Sequence, residues 1–424
     1  MRICGGLVVT GTGSREADVV VAGGRIAAIE PPTAGGEVDA HGCVVLPGGV
    51  DPHTHPLSGL VPASTAAGHG GTTTVFGFTA PRPGEPPGAA WRRAVWEHLP
   101  QATVDVALHP AIWEPDRLTR SDLEELSALG ASSVKLYLAY PELGMMVSDR
   151  TLYETLRASV ELGLLVMVHC ENGGVIEARV EEQLAHGAKG IDGFVAARAP
   201  GVEEEAVART LALARLAEAP VYLVHLSSAG SLDLVREARA RGQEVIAEAC
   251  AHHLLLDESC YERPDPGRWL IVPPLRSQLD VDALWDAVRD GTLDTIGSDH
   301  AQVAYQPGFR GGDFRALPSG FPGIETRVPL VLSEGTSRGV PLERLASLLA
   351  TTPARSFRRE DTGAIVPGAA ADLLVWDPST RWTVDPSRLH GGHAWTPYDG
   401  IEVTGGIRAV IRNGTVLHGP PGPT

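Results

Sequence analysis

The segment GGVDPHTH, residues 48–55, decides how the rest of this chain is interpreted. It follows an apolar run at residues 43–46 and predicts a short β-strand that ends in His-x-His. Alternate side chains of a strand share one face, so His53 and His55 are expected to point the same way. Two imidazoles that converge on one point are a first indication of a metal site, although an isolated His-x-His fits two solvated loop histidines equally well.

Length and composition exclude several classes of protein. The chain has 424 residues, of which 43% are hydrophobic, and predicts one large domain with a smaller one. Its net charge of −17 comes without clustered Lys or Arg, so no nucleic-acid partner is indicated. No apolar run approaches the ~20 residues that cross a bilayer, so no membrane partner is expected. Five scattered cysteines without Cys-x-x-Cys argue against a disulfide framework and favour a cytoplasmic protein.

The middle of the chain alternates strand-like runs with helix-like segments. The eight strand-like runs lie at residues 49–53, 72–78, 104–109, 133–138, 164–169, 221–226, 244–248 and 294–298. This alternation predicts an α/β fold with a (β/α)8 TIM barrel. An open doubly wound sheet is the alternative, but no Gly-x-Gly-x-x-Gly follows the first strand. Ser121 and Glu124 predict a capping box at the start of one of the helices.

Both ends of the chain predict short strands joined by tight turns. Gly23-Gly24 separates two apolar runs near the amino terminus, and Asn413-Gly414 predicts a β-hairpin near the carboxyl terminus. We therefore expect residues 1–49 and 358–424 to form one small β-sandwich domain, and residues 50–357 to form the barrel.

Several potential metal ligands fall at the predicted strand ends, where a barrel of this kind carries its functional side chains. Alone, a strand-end histidine is more often structural, Lys135 can pair with a glutamate, and Asp299 can cap a helix. Their coincidence at five strand ends predicts a site for two divalent metal ions instead. The residues concerned are His53, His55, Lys135, His169, His225 and Asp299.

Lys135 does not suit a metal site as an ammonium ion. Two cations would repel it, and burial alone would lower its pKa without making it a bridging ligand. Reaction of its amine with CO2 would give a carbamate, an anion with two oxygens that can bridge hard metal ions. The sequence therefore predicts a CO2-derived carbamate on Lys135.

With these residues, the chain resembles the amidohydrolase superfamily, in the subtype with a carboxylated-lysine bridge. More specifically, it resembles the hydantoinase/dihydropyrimidinase family over nearly its whole length. The family-like motifs lie at residues 47–55, 70–74, 168–173, 224–227, 273–276, 297–300, 312–314 and 323–327.

The resemblance implies hydrolytic opening of a small cyclic amide, a dihydropyrimidine or a 5-substituted hydantoin, to an N-carbamoyl amino acid. It implies two metal ions, Zn²⁺ first and Mn²⁺ or Co²⁺ as alternatives. It also implies a homo-oligomer, a tetramer or a dimer. One ion would be held by His53, His55, Lys135 and Asp299, and the other by Lys135, His169 and His225.

The resemblance also assigns roles to other residues. Asp299 would act first as general base and then as general acid, and Tyr140 would donate a hydrogen bond to the developing oxyanion. Val272 and Ser319 stand where the family usually has serine and asparagine. The family holds the cyclic amide through main-chain groups at these two positions, so both contacts are expected to survive the change of side chain.

Some features depart from the family pattern and leave alternatives open. The loop at residues 56–63 is shorter than usual, which implies a differently shaped pocket. Cys250 and His252 are more typical of dihydroorotase or allantoinase, but no arginine follows His55, which argues against dihydroorotase. An allantoinase or another cyclic amidase or imidase is therefore the alternative. A non-catalytic scaffold relative is the remote one, because such proteins have lost metal ligands and this chain has all six.

Overall fold

A computed structural model of the chain describes residues 1–11, 13–33, 35–56, 59–301, 303, 313–316 and 319–418. Within these residues the fold is mixed α/β, with seventeen β-strands and thirteen α-helices. The loop residues 57–58, Gly312 of a family-like motif and the tail at 419–424 lie outside the described residues. No described helix combines the length and the apolar character needed to span a bilayer.

The strands are β1 (Arg2–Thr10), β2 (Gly13–Ala22), β3 (Arg25–Glu30), β4 (Val38–Asp39), β5 (Val44–Pro47), β6 (Gly49–His55), β7 (Thr72–Phe78), β8 (Asp105–His109), β9 (Ser133–Tyr137), β10 (Leu165–His169), β11 (Val221–Leu223), β12 (Val245–Cys250), β13 (Thr295–Gly297), β14 (His300–Ala301), β15 (Leu373–Thr383), β16 (Glu402–Arg412) and β17 (Thr415–His418).

The helices are α1 (Leu60–His69), α2 (Pro87–His98), α3 (Arg120–Ala128), α4 (Asp149–Leu162), α5 (Gly173–Ala185), α6 (Ile191–Ala197), α7 (Pro200–Ala217), α8 (Ala229–Ala240), α9 (Ala251–Leu255), α10 (Gln278–Asp290), α11 (Arg327–Ser337), α12 (Leu342–Ala346) and α13 (Thr352–Ser356). The predicted capping box is wrong by two residues. Thr119 caps α3 by accepting a hydrogen bond from the backbone N–H of Asp122, whose carboxylate accepts from the N–H of Thr119.

Strands from both ends of the chain share one eight-stranded sheet. Its order is β17-β16-β15-β5-β1-β2-β3, with β4 beside β1. The β5–β15 pair joins the amino-terminal strands to the carboxyl-terminal ones in antiparallel register, and the predicted hairpin between β16 and β17 is confirmed. Apolar side chains from both ends, including Val19, Val45, Leu373 and Ile411, pack into one buried cluster.

The middle of the chain contains all eight predicted strands, with ends that differ from the prediction by three residues at most. Together with the short strand β14, they form two parallel ladders, β13-β12-β11-β10-β9 and β14-β6-β7-β8. Where β8 meets β9, the N–H of Lys135 in β9 donates to the carbonyl of Pro110 just after β8, at 2.8 Å. Where β13 meets β6, the N–H of Asp299 after β13 donates to the carbonyl of His53 in β6, at 2.9 Å. The two ladders are therefore hydrogen-bonded to each other along both edges.

A buried ion pair lies where β6 meets β13. Arg327 of α11 and Asp51 of β6 are both 0% exposed, with Nε and Oδ2 3.5 Å apart. Arg327 Nη1 also donates to the carbonyl of Ile296 at 2.7 Å, and its Nη2 donates to Thr72 Oγ1 at 3.1 Å. Asp51 Oδ1 accepts from the N–H of Ser298 at 3.0 Å. The pair therefore connects α11 with β6, β7 and β13.

We expect Asp51→Ala to lower the free energy of unfolding by about 3 kcal/mol or more, because it leaves the Arg327 guanidinium buried without its counter-charge. Urea unfolding followed by circular dichroism measures this change. Asp286→Ala is the control, since Asp286 is an exposed aspartate that pairs with Arg289 on α10 and should cost less than about 1 kcal/mol. Equal losses in the two variants would contradict a structural role for the buried pair.

Candidate metal centre and active site

A cavity of about 560 Å³ opens beside the carboxyl ends of the parallel strands. Because parallel strands end at the same edge of a sheet, side chains at their carboxyl ends are brought together. The structure places all nine residues predicted for the site in the lining of this one cavity. They are His53, His55, Lys135, Tyr140, His169, His225, Val272, Asp299 and Ser319.

Asp299 lies between the two histidines of the His-x-His motif. Its Oδ1 is 3.2 Å from Nε2 of His53 and 3.2 Å from Nε2 of His55. Burial acts against the charged carboxylate, but His53 and then His55 outweigh it and hold the pKa of Asp299 well below its usual range. The three side chains form a group with ligand atoms within 4.8 Å of one another, which is close enough to hold one metal ion.

His169 and His225 form a second group. Nδ1 of His169 lies 2.9 Å from Nε2 of His225, and both rings are buried. Burial, together with the neighbouring His169, lowers the pKa of His225 well below its usual value. Both rings are therefore favoured in the neutral form, which is the form that binds metal ions.

Lys135 comes from β9, which follows the strand of His53 and His55 along the chain and precedes the strands of His169 and His225. It occupies the third position of β9, not the end of the strand as predicted, and is 1% exposed. Its Nζ has no hydrogen-bond partner among the described residues. Burial lowers the pKa of its ammonium group to about 8. An unpartnered buried amine with a lowered pKa fits a group that has reacted with CO2, since the neutral amine is the reactive form. With that change the donor set consists of imidazole nitrogens and carboxylate-type oxygens, which suits divalent metal ions.

Glu248 of β12 orients His53, a role that was not predicted from the sequence. Its Oε1 is 2.6 Å from Nδ1 of His53 and accepts from the backbone N–H of His225 at 3.0 Å. Its Oε2 accepts from the hydroxyl of Tyr222 at 2.7 Å. A proton on Nδ1 of His53 leaves Nε2 free to face Asp299. The available signal was a glutamate inside an otherwise apolar strand, where acids are rare unless they have a partner.

Glu171 orients His169 through Nε2, whereas Glu248 contacts Nδ1 of His53. Its Oε2 is 3.0 Å from Nε2 of His169 and accepts from Nη1 of Arg198 at 2.7 Å. With Nε2 bonded to Glu171, His169 presents Nδ1 towards His225. Glu171 follows His169 by two residues, beyond the end of β10, and no role was predicted for it from the sequence.

We expect Glu171→Gln to weaken metal binding by about 10–100-fold, because it removes the charge that holds the His169 ring in its orientation. Competition with a chromogenic chelator measures the affinity. Glu177→Gln is the matched control, since Glu177 is an exposed glutamate on α5. If both variants retained metal equally well, Glu171 would have no part in supporting the ligand.

Tyr140 faces the cavity from just after β9. Its backbone is left-handed, with φ of 64°, and its ring centroid is 5.1 Å from that of His169. Burial raises the pKa of Tyr140 far above its usual value, so its hydroxyl stays protonated and can donate a hydrogen bond. Larger apolar side chains make up much of the remaining lining. They are Phe78, Trp113, Leu143, Met145, Ile271 and Val303.

The parallel strands bring histidines, a lysine and an aspartate to one cavity. This arrangement is typical of a metal-dependent hydrolase. Comparison with known proteins agrees, since the family model described as "Amidohydrolase family" matches residues 44–417. The chain belongs to this family and, within it, to the hydantoinase/dihydropyrimidinase family. The resemblance inferred from the sequence motifs is therefore confirmed.

The similarity extends over almost the whole chain. D-hydantoinase of Geobacillus stearothermophilus is 36% identical over 431 residues, covering 96% of this chain and 91% of that protein. D-hydantoinase of Rhizobium radiobacter is 34% identical over 433 residues, covering 97% and 93%. The crystal structure of dihydropyrimidinase from Brevibacillus agri NCHU1002 superposes with a TM-score of 0.92 at 32% identity, covering 98% of this chain and 94% of that one.

Proposed function

We propose that this chain is a metal-dependent cyclic amidase that opens dihydropyrimidines or 5-substituted hydantoins to N-carbamoyl amino acids. The observation that carries the proposal is the convergence of all six potential ligands and Tyr140 on one cavity. Relatives named D-hydantoinase and dihydropyrimidinase, matched over nearly the full chain, support this class of substrate.

We propose that the eight parallel strands form a closed (β/α)8 barrel within residues 50–357. Hydrogen bonds along both edges of the two ladders support closure. We also propose that residues 1–49 and 358–424 form a separate β-sandwich-like domain. The sheet shared by β1–β5 and β15–β17 supports a single unit built from both ends.

We propose that the site would hold two divalent metal ions, with Zn²⁺ preferred and Mn²⁺ or Co²⁺ as alternatives, and that a carbamate on Lys135 would supply oxygen ligands to both. When bound, the ions lower the pKa of a water molecule towards ~7 and polarise the ring carbonyl. The ligands would be His53, His55, Lys135 and Asp299 for one ion, and Lys135, His169 and His225 for the other.

The side chains of this chain would handle the proton and the developing charge. Water oxygen adds to the ring carbonyl carbon, and Asp299 takes the proton that this water releases. Asp299 then delivers the proton to the ring nitrogen as the carbon–nitrogen bond breaks, which leaves a carboxylic acid and a ureido NH2; the acid then releases its remaining proton to the solvent. Tyr140 donates a hydrogen bond to the carbonyl oxygen as its negative charge grows. Main-chain groups of Val272 and Ser319, both in the cavity lining, would hold the cyclic amide.

We expect Tyr140→Phe to lower kcat by about 10²–10³-fold, because it removes one preorganised donor to the oxyanion. Steady-state kinetics on a 5-aryl hydantoin measure this, and KM should change little. Tyr137→Phe is the control, because Tyr137 lines the same cavity with its ring centroid 6.0 Å from that of Tyr140. A comparable loss in both variants would assign the effect to packing instead of to the Tyr140 hydroxyl.

A substrate panel tests the proposed reaction. Protein loaded with Zn²⁺ and bicarbonate is assayed on dihydrouracil, a 5-aryl hydantoin, allantoin and dihydroorotate. Turnover of either of the first two is expected, and turnover of allantoin alone would establish the alternative. The described cavity-lining residues include neither His252, on which the allantoinase alternative depended, nor any arginine for a substrate carboxylate. Protein that binds no metal after purification with Zn²⁺ and bicarbonate would favour the non-catalytic alternative.

The assembly and location of the protein stay predictions. We propose a homo-oligomer, either a tetramer or a dimer. Light scattering coupled to size-exclusion chromatography tests it, since a mass of one chain, 44.7 kDa, would exclude both. The cytoplasmic location expected from cysteine usage is a separate prediction.

A further inference from the structure

Two buried residues outside the cavity lining lie against Asp299. Cys250 is the last residue of β12, and His252 lies in the short helix α9 that follows it. Both are 0% exposed. The Sγ of Cys250, a ring nitrogen of His252 and a carboxylate oxygen of Asp299 are all within 4.8 Å of one another.

His252 lacks hydrogen-bond partners in the described part of the chain. Neither Nδ1 nor Nε2 has one, although the ring is fully buried between those of His253 and Phe321, at centroid distances of 4.2 and 5.1 Å. An unsatisfied buried polar group costs about 1–3 kcal/mol, so such groups call for an explanation. The neutral form of an imidazole has one ring nitrogen with a free lone pair, which can bind a metal ion.

We propose that Cys250, His252 and Asp299 form a third cation site, selective for thiophilic divalent ions such as Zn²⁺ or Cd²⁺. A sulfur, an imidazole nitrogen and a carboxylate oxygen are together a typical ligand set for Zn²⁺. The thiolate would offset one positive charge of the ion, the Asp299 carboxylate would be shared with the first metal ion, and a bound cation would satisfy His252.

A second grouping with Cys250 is less suitable. His53, Glu248 and Cys250 also have ligand atoms within 4.8 Å of one another. However, Nδ1 of His53 and Oε1 of Glu248 already form a 2.6 Å hydrogen bond. His252 has no such bond to lose, so the group with Asp299 offers the ion a free donor.

Occupancy of this site would inhibit the enzyme, a consequence that rests on the proposed function. Asp299 is the proposed proton carrier, and an additional ion on its carboxylate would withdraw an oxygen from that task.

The site is tested without reference to activity by zinc X-ray absorption on the full chain loaded with excess Zn²⁺. None of the six proposed ligands of the two-metal centre is a cysteine, so a zinc–sulfur shell at about 2.3 Å would report an ion outside that centre. Cys4 also lies in a potential ligand group, with Asp39 and His41, so the Cys250→Ala variant is what assigns the shell to the third site. We expect this shell in the wild type and its loss in Cys250→Ala. Bound zinc should fall from about three to about two ions per chain.

Two further variants keep the test decisive. Cys170→Ala is the matched control, because Cys170 is also fully buried and directly follows His169, and it should keep the sulfur shell. His252→Phe fills the same space without a donor and should weaken the third ion while the other two stay bound. Identical sulfur signals and zinc content in the wild type and Cys250→Ala would overturn the proposal. So would the absence of any sulfur shell in the wild type.

Inhibition is measured separately on whichever substrate of the panel turns over. Removing Cys250 should raise the inhibitory concentration of Zn²⁺ at least about tenfold, because one of three protein ligands is lost. Cys170→Ala should be inhibited like the wild type. A sulfur shell without inhibition would keep the cation site and reject its effect on Asp299. Failure of the whole substrate panel would reject the proposed function and leave the X-ray absorption result standing.

Discussion

Replacing Lys135 with alanine should remove most of the catalytic acceleration, which for enzymes is typically about 10⁶-fold or more. The buried Nζ of Lys135 has no hydrogen-bond partner in the described part of the chain, and its proposed carbamate is the only ligand common to both metal ions. Without it, neither ion would keep its full set of ligands. We therefore expect the variant to lose bound metal together with ring-opening activity, measured by elemental analysis and steady-state kinetics.

The chain has only two lysines, and the second, Lys189, is exposed, so it provides a matched control for this experiment. Lys189→Ala should keep both metal and activity. Growth or reconstitution with ¹³C-bicarbonate should give one carbamate signal by NMR, which Lys135→Ala abolishes and Lys189→Ala retains.

Chemical rescue separates loss of the carbamate from loss of the fold. Formate or acetate can occupy the space left in Lys135→Ala and supply two oxygens, so either should restore part of the metal content and activity. Full activity in Lys135→Ala without any added acid would contradict the proposed bridge.

We expect Asp299→Asn to lower kcat by about 10²–10⁴-fold or more, because the amide cannot carry the proton from water to the leaving nitrogen. Asparagine has the same shape, so one oxygen can still face His53 and His55, which lie 3.2 Å from Oδ1. Metal analysis alongside kinetics therefore distinguishes a lost proton carrier from a lost ligand.

Asp294→Asn is the matched control for this variant. Asp294 lies just before β13, at the opposite end of the strand from Asp299, and pairs with Arg239 instead of facing the cavity. Its kcat should stay near that of the wild type. A variant Asp299→Asn that retained both metal and full turnover would assign the proton transfer to another group.

Much of the site was predictable because it lies at the ends of buried parallel strands. Such strands appear in a sequence as short apolar runs, and their carboxyl ends meet at one edge. A polar residue at the end of such a run, as in His169 after the apolar residues of β10, therefore indicates where it will lie. This local pattern identified six of the residues that line the cavity, namely His53, His55, Lys135, His169, His225 and Asp299, without knowledge of any long-range contact. Tyr140, Val272 and Ser319 were predicted from the resemblance to the family instead.

The same pattern does not distinguish a potential ligand from a structural histidine. His109 also ends a parallel strand, β8, and is fully buried. Its Nε2 bonds the carbonyl of Pro52 at 3.1 Å, and its Nδ1 bonds the hydroxyl of Ser133. Both ring nitrogens are thus occupied by groups far away in the sequence, so only the fold separates His109 from His169.

The sequence by itself determined the strand order along the chain and the residue types at the strand ends, since these depend on local hydrophobic patterns. Tertiary structure decided which nitrogen each histidine presents. Glu248, 195 residues from His53, bonds Nδ1 of that ring, whereas Glu171 bonds Nε2 of His169. It also decided the left-handed backbone of Tyr140 and Asp299. Such conformations cost energy locally and persist only where the surrounding packing and hydrogen bonds hold them, and those contacts do not exist until the chain has folded.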